Sequence, residues 1–305
     1  MKRPRLLGLV AATHSPFHDD GSLRLDAVEQ QASHLSAQGV QTVFIGGSTG
    51  ESHSLSLDER RQLAQRWAEV VRGTSLRLVV HVGSNCLADA RTLAAQAEQL
   101  GAAAIAALAP SYFKPRSVEM LIACAADIAS AAPQTPFYFY DIPVLTGVQL
   151  SMPDFLAQAR DRLPTLAGIK FTNSDLMAYQ LCLRADGGGW DVPWGVDEYL
   201  LAAVALGAQG AVGSSYNFAA LIYQRLLAAV AAGDLAAARE EQFRSVRLIQ
   251  LLASYGYMGA AKAVMGLLGV PVGPARLPNG SLSTEQIARL QGELEILGFF
   301  DWIRH

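Results

Sequence analysis

The sequence predicts an α/β fold: a closed (β/α)8 barrel of residues 1–232 followed by a C-terminal three-helix extension of residues 233–305. Three observations lead there. Eight short apolar runs alternate with helical patterns as far as residue 232. Parallel strands need crossovers and helices supply them, so this alternation reads as a parallel sheet. The chain has 305 residues, about half of them hydrophobic, and no stretch reads as a linker, which suits one large α/β barrel with an ample core. A doubly wound open sheet is the alternative, but eight strand–helix units match a closed ring better.

The expected strands are 6–13 (LLGLVAAT), 42–47 (TVFIGG), 76–83 (LRLVVHVG), 103–110 (AAIAALAP), 136–143 (PFYFYDIP), 166–172 (LAGIKFT), 192–196 (VPWGV) and 210–214 (GAVGS). Between the second and third, Leu57, Leu63, Ala64, Trp67, Val70 and Val71 recur at helical spacing. Ser56 with Glu59 forms a capping box that starts this helix, and Gly73 ends it. Beyond residue 233 three further helical stretches follow. The Pro/Gly-rich break at 270–280 is short, so the tail is expected to pack on the barrel.

Composition excludes several functions. A net charge of −3 and a pI near 6.1 offer no basic face for nucleic acid. No apolar run approaches the roughly 18 residues of a membrane span. The N-terminus has basic residues ahead of an apolar run, but His14 and Pro16 follow and no cleavage pattern does, so a first strand is expected rather than a signal peptide. Cys86, Cys124 and Cys182 are scattered, which points to a reducing cytosol and against a disulfide framework or zinc site. HSPFHDD (14–20) reads as a loop, not a metal site. DGGG (186–189) reads as a turn, because no strand precedes it and GxGxxG spacing is absent.

Barrel enzymes work at the carboxyl ends of their strands. The second strand runs into GGSTGES (46–52), where successive N–H groups can form a nest for a small anion and Ser48 and Thr49 add hydroxyls. Taken alone, the same turn serves as ordinary helix capping. In the fifth strand, period two puts Tyr138 and Tyr140 on one face and Phe137 and Phe139 on the other, with Tyr140 nearer the mouth. Core filling is the alternative role for Tyr140.

The sixth strand contains the most informative residue. Lysine is rare here: Lys2, Lys114, Lys170 and Lys262 stand beside twenty arginines. Lys170 shares a face with Gly168 and Thr172, and Ile169 and Phe171 take the other. If the apolar pair packs under helices, Lys170 projects into the barrel, where desolvation favours an uncharged amine able to form a Schiff base with a ketone. A lysine snorkelling to the mouth or paired with a carboxylate is the alternative. Asp197 and Glu198 stand just past the seventh strand, placed either to accept hydrogen bonds from hydroxyls or to open a helix as acidic first-turn residues. In the eighth, Gly213 and Ser214 are expected to leave room for a ligand.

GGSTGE, FYDIP, GIKFT, GVDE and GSSYN, in this order at strand ends, resemble the dihydrodipicolinate synthase/N-acetylneuraminate lyase family over nearly the whole chain. The resemblance implies class I aldolase chemistry on pyruvate or another 2-keto acid, without metal or cofactor, in a barrel that is usually a homotetramer. It makes Lys170 the Schiff-base lysine and Tyr140 the proton relay, and it places the substrate carboxylate on Ser48 and Thr49. The lyase branch is the nearer one. Thr172, Gly195, Asp197, Glu198 and Ser214 match its sugar-holding positions, and Leu145 stands where the synthases carry an arginine. Tyr112 resembles a tyrosine that reaches a neighbouring subunit's site. Phe171 departs from the pattern, since familiar lyases carry a polar residue there, and the resemblance therefore leaves the exact sugar open.

Overall fold

The computed structural model describes residues 4–304; of the four lysines, Lys2 lies outside them, as do Met1 and Arg3 of the basic N-terminus. Seven parallel strands are formed: β1 (Gly8–Ala12), β2 (Thr42–Ile45), β3 (Arg77–His81), β4 (Ala104–Leu108), β5 (Phe137–Asp141), β6 (Leu166–Phe171) and β7 (Gly210–Gly213). Their order is β6-β5-β4-β3-β2-β1-β7. The helices of the ring are α1 (Ala27–Ala37), α2 (Leu57–Val71), α3 (Leu87–Gln99), α4 (Val118–Ala129), α5 (Pro143–Thr146), α6 (Met152–Ala159), α7 (Leu176–Arg184), α8 (Leu200–Leu206) and α9 (Tyr216–Ala231). The extension comprises α10 (Leu235–Ser254), α11 (Tyr257–Leu267), α12 (Thr284–Leu297) and α13 (Phe299–Trp302).

The expected strand at 192–196 is the one that departs from regularity. Residues 191–195 do lie between β6 and β7 and close a TIM barrel, but through isolated bridges, Gly168 to Asp191, Phe171 to Trp194 and Trp194 to Ala211. Asp191 N–H donates to Ala167 and Gly195 N–H to Phe171, while Trp194 N–H donates to Gly210 on the other side. Pro193 has no N–H, so one rung of the ladder is missing and the strand never becomes continuous.

Two apolar clusters follow from strand alternation. The lumen holds Val10, Ala12, Phe44, Val79, Ala106, Leu108, Tyr138, Tyr140 and Val212. The outer cluster, between strands and helices, takes Phe137, Phe139, Ile169 and Phe171 together with Trp67 and Leu63 of α2. Phe171 therefore faces away from the lumen, stacked on Trp194 at 6.0 Å and packed on Tyr179. Its apolar character fits this outer layer and does not alter the lumen. The capping box of Ser56 and Glu59 forms as expected, and α2 stops at Val71, ahead of Gly73 with φ 79°.

The extension shares the outer cluster: Leu248, Leu252, Val264, Met265, Leu290 and Phe299 are all fully buried in it. The segment after α11 crosses toward the barrel mouth, where the Val272 carbonyl accepts from Phe17 N–H. Arg276 donates to the Gly21 and Ser54 carbonyls and to the Glu59 carboxylate. No helix among the described residues is long and apolar enough to cross a membrane.

Candidate active site

The strand ends converge on one cavity of about 1250 Å³, lined among others by Ser48, Thr49, Tyr140, Lys170, Thr172, Gly195, Asp197, Glu198 and Ser214. Lys170 is 4 % exposed on the lumen face of β6. Its Nζ lies 3.6 Å from the centre of the Tyr140 ring and 4.6 Å from that of Phe44. Among the described residues no carboxylate lies within ion-pair distance of it. Its nitrogen is thus held at the cavity wall against two aromatic faces, with no acid partner among the described residues.

Tyr140 is gripped edge-on by Phe44 and by His81 at 5.9 and 5.8 Å, and its hydroxyl is 3.3 Å from Ser48 Oγ. His81 Nδ1 is 2.8 Å from the Gly46 carbonyl, which can only accept, so Nδ1 carries the proton. Burial, reinforced by the charge of Arg60, holds the His81 pKa well below its ordinary value, so the ring is neutral. The same turn that carries Ser48 and Thr49 is thereby tied to β3.

A second tie comes from the extension. Glu51 adopts a left-handed conformation, φ 53°, at the end of the GGSTGE turn. Its buried carboxylate is 2.8 Å from Lys262 Nζ and accepts from Arg276 N–H at 2.8 Å. Lys262 also donates to the Ser15 and Pro274 carbonyls. His14 is buried nearby, its pKa lowered to about 3 by burial and by the Lys262 charge. It and His18 take no part in a metal cluster; among the described residues no three His, Cys, Asp or Glu are placed to hold an ion.

The opposite wall is polar. A Cβ on Gly195 would sit 1.9 Å from Thr172 Oγ1, so only glycine lets the strand pass this side chain. Thr172 Oγ1 is buried with no partner among the described residues, an unmet donor that a ligand can satisfy. Asp197 is buried, accepting from Ser215 N–H at 2.9 Å and from the Ser215 hydroxyl. Burial lifts its pKa to about 6 against those bonds. Asp197 and Glu198 open a short helical turn before α8, as one of the two sequence readings expects, and both also line the cavity. The room expected beside Gly213 does not exist for a ligand: the Asp197 carboxylate fills it, 2.0 Å from where a Cβ would stand. Ser214 Oγ is 2.7 Å from the hydroxyl of Tyr257, the first residue of α11.

Tyr112 is not part of this cavity. It is 79 % exposed, edge-on against Phe113. Sequence reasoning missed Tyr257, Asn173 and His53, which also line the cavity. Asn173 and His53 each directly follow a motif, GIKFT and GGSTGES, but lie one residue beyond it, and Tyr257 lies in the extension, away from every strand end.

The model of the dihydrodipicolinate synthetase family matches residues 5–297. The chain belongs to that family. Among family relatives, the N-acetylneuraminate lyase of Gallus gallus is 40% identical over 297 residues, 96% of each chain. Solved structures agree: the Proteus mirabilis N-acetylneuraminate lyase superposes with a TM-score of 0.94 at 37% identity, covering 97% of this chain and 100% of that one. The N-acetylneuraminate lyase (sialic acid aldolase) from Aliivibrio salmonicida gives 0.94 at 38% identity, with 97% and 98% covered. Within the family these similarities favour the lyase branch, as do the cavity residues above.

Proposed function

We propose that the protein is a class I aldolase that cleaves N-acetylneuraminate to N-acetylmannosamine and pyruvate. One observation carries the reading: a buried lysine amine, unpaired with any carboxylate among the described residues, lies against the tyrosine whose hydroxyl meets Ser48. The N-acetylneuraminate lyases among its relatives support the choice of sugar. Leu145 lines the cavity and supplies no cation for a second carboxylate, which counts against the synthase reaction.

In this scheme the open-chain acid sets its carboxylate on Ser48 and Thr49. Lys170 Nζ attacks the C2 carbonyl through its lone pair, and loss of water leaves a protonated imine, with Tyr140 carrying protons between nitrogen and oxygen. Tyr140 then takes the proton of the C4 hydroxyl. The C3–C4 bond breaks, its electron pair moves toward the iminium nitrogen, and the aldehyde sugar leaves. Protonation of the enamine at C3 and hydrolysis return pyruvate and the free amine. The lysine is itself the electron sink, so no step calls on a metal or cofactor. Thr172, Gly195, Asp197, Glu198 and Ser214 hold the sugar hydroxyls along the polar wall.

The proposed assembly is a homotetramer in which Tyr112, exposed in the single chain, completes a neighbour's site; the edge-paired Tyr112 and Phe113 support this. The proposed setting is the cytosol, supported by three free cysteines.

Borohydride reduction in the presence of pyruvate tests the chemistry. The wild type should become covalently modified at Lys170 and Lys170→Ala should not. A barrel that merely binds sugar acids would stay unmodified, and undiminished turnover in Lys170→Ala would rule the scheme out. Pyruvate release from a panel of 2-keto sugar acids then distinguishes N-acetylneuraminate cleavage from action on shorter 2-keto-3-deoxy acids.

A further inference from the structure

Ser48 follows β2 and Lys170 sits on β6, four positions apart in an eight-membered ring, so a 2-keto acid bound to both spans the lumen. Two arcs connect them. Apart from Tyr140, whose hydroxyl meets Ser48, and from Tyr138 and His81, which are already bonded to Asp191 and to the Gly46 carbonyl, the β3–β5 arc presents apolar residues, Val79, Ala106, Leu108 and Ile142. The arc through residues 191–195 and β7 presents Thr172, Asp197, Glu198 and Ser214. A polyol tail must leave along the second. The cavity, about 1250 Å³, is far larger than pyruvate needs and exceeds the roughly 300–1,000 Å³ usual for small-molecule sites. A long tail is what such space accommodates.

At the end of the polar arc the wall changes hands, from barrel to extension. Gly256, with φ 81°, turns the chain so that α11 begins with Tyr257 over the mouth. The phenol oxygen is 2.7 Å from Ser214 Oγ. Two bonded hydroxyls use one of their protons between themselves, leaving one donor and several lone pairs for a third group. That set matches a sugar hydroxyl, which both donates and accepts. Burial and the nearby Asp197 and Glu198 charges keep the phenol protonated, its pKa raised from the ordinary value.

We propose that Tyr257 is a specificity-determining residue: with Ser214 it forms a hydroxyl pair that binds the terminal polyol of a long-chain 2-keto sugar acid. The inference rests on the aldolase reading and adds to it a recognition element supplied by the extension. It selects nine-carbon acids, whose three-carbon tail reaches the pair, over six-carbon 2-keto-3-deoxy acids, which end short of it.

Steady-state kinetics of pyruvate release from N-acetylneuraminate and from 2-keto-3-deoxygluconate, in wild type and Tyr257→Phe, tests it. Phenylalanine keeps the ring and its packing, so the comparison does not depend on opening a cavity. Loss of one neutral hydrogen bond should raise the ratio of the nine-carbon to the six-carbon KM by about 3–10-fold, with the effect on KM rather than kcat. A structural role for the hydroxyl would move both substrates together. Equal changes, or none, overturn the inference. Borohydride trapping with pyruvate on the same samples separates the two levels of the argument. A trapped wild type with an unsplit KM sinks only the role of Tyr257, whereas an untrapped wild type sinks the aldolase reading and this inference with it.

Discussion

Lys262 offers the sharpest test of how the extension supports the active site. Its ammonium is 2.8 Å from the Glu51 carboxylate, and the two side chains are 2 % and 0 % exposed. At that separation, with an effective dielectric constant near 20, the attraction is about 6 kcal/mol. Lys262→Met removes it and leaves a buried anion still accepting from Arg276 N–H, so the net loss should be about 3–5 kcal/mol, the usual result of breaking one side of a buried pair. Urea unfolding at neutral pH measures this directly. The double variant Lys262→Met/Glu51→Gln has no charge left to strand and keeps an acceptor for Arg276, but it leaves the Ser15 and Pro274 carbonyls without their donor, so it should be more stable than Lys262→Met yet stay about 1–3 kcal/mol below wild type. A pH series adds a check. Burial lowers the Lys262 pKa from 10.5 to about 8 despite the opposing pull of Glu51. Between those values the unfolded chain binds a proton that the folded chain has released, so stability rises with pH across the window, and Lys262→Met should flatten that rise. Glu51 closes the turn bearing Ser48 and Thr49, so the single variant should also raise the pyruvate concentration needed for half-maximal borohydride trapping. A single variant as stable as wild type, or a double variant as unstable as the sum of the singles, would refute the reasoning.

Three further outcomes are expected. Tyr140→Phe should lower kcat by about 10²–10⁴-fold, the range of general acid–base help, while pyruvate trapping on Lys170 persists at a reduced rate. Burial raises the Asp197 pKa to about 6 from 3.8; in the proposed scheme the ionised form accepts the substrate hydroxyls, so KM for the sugar acid should rise as pH falls through about 6, and Asp197→Asn should remove that inflection. Gly195→Ala puts a methyl 1.9 Å from Thr172 Oγ1; thermal unfolding should show a loss of about 1–3 kcal/mol, with a raised KM because Thr172 is displaced.

Period-two alternation made the lumen legible. In fully buried strands the side of each residue is decided by parity, so Tyr140 and Lys170 could be placed inside, and Phe171 outside, from the spacing of their neighbours. The departure at Phe171 came from comparing residue types position by position; the strand's own alternation turns this side chain away from the lumen, and the choice of sugar rests with the substrate panel. The run at 192–196 was recognisable as a barrel segment, but Pro193 reduces its pairing to bridges. Gly213 looked like a vacancy because the sequence does not say which side chain from the adjoining loop will occupy it, and Asp197 does. The Glu51–Lys262 pair and the Ser214–Tyr257 contact left no local trace. Each joins residues far apart in the chain, across the boundary between barrel and extension, where neither periodicity nor strand-end motifs reach.

The incomplete pairing beside β6 bears on how this enzyme breathes. Lys170 belongs to the strand that flanks the interrupted rung, whereas Asp197 and Gly195 belong to the far bank. Opening of the hoop at that rung would separate the amine from the polar wall while leaving the β5–β6 pairing that carries Tyr140 in place. Deuterium uptake at Phe171 and Gly195 amides should therefore slow once a ligand bridges both banks, making the substrate the missing stitch.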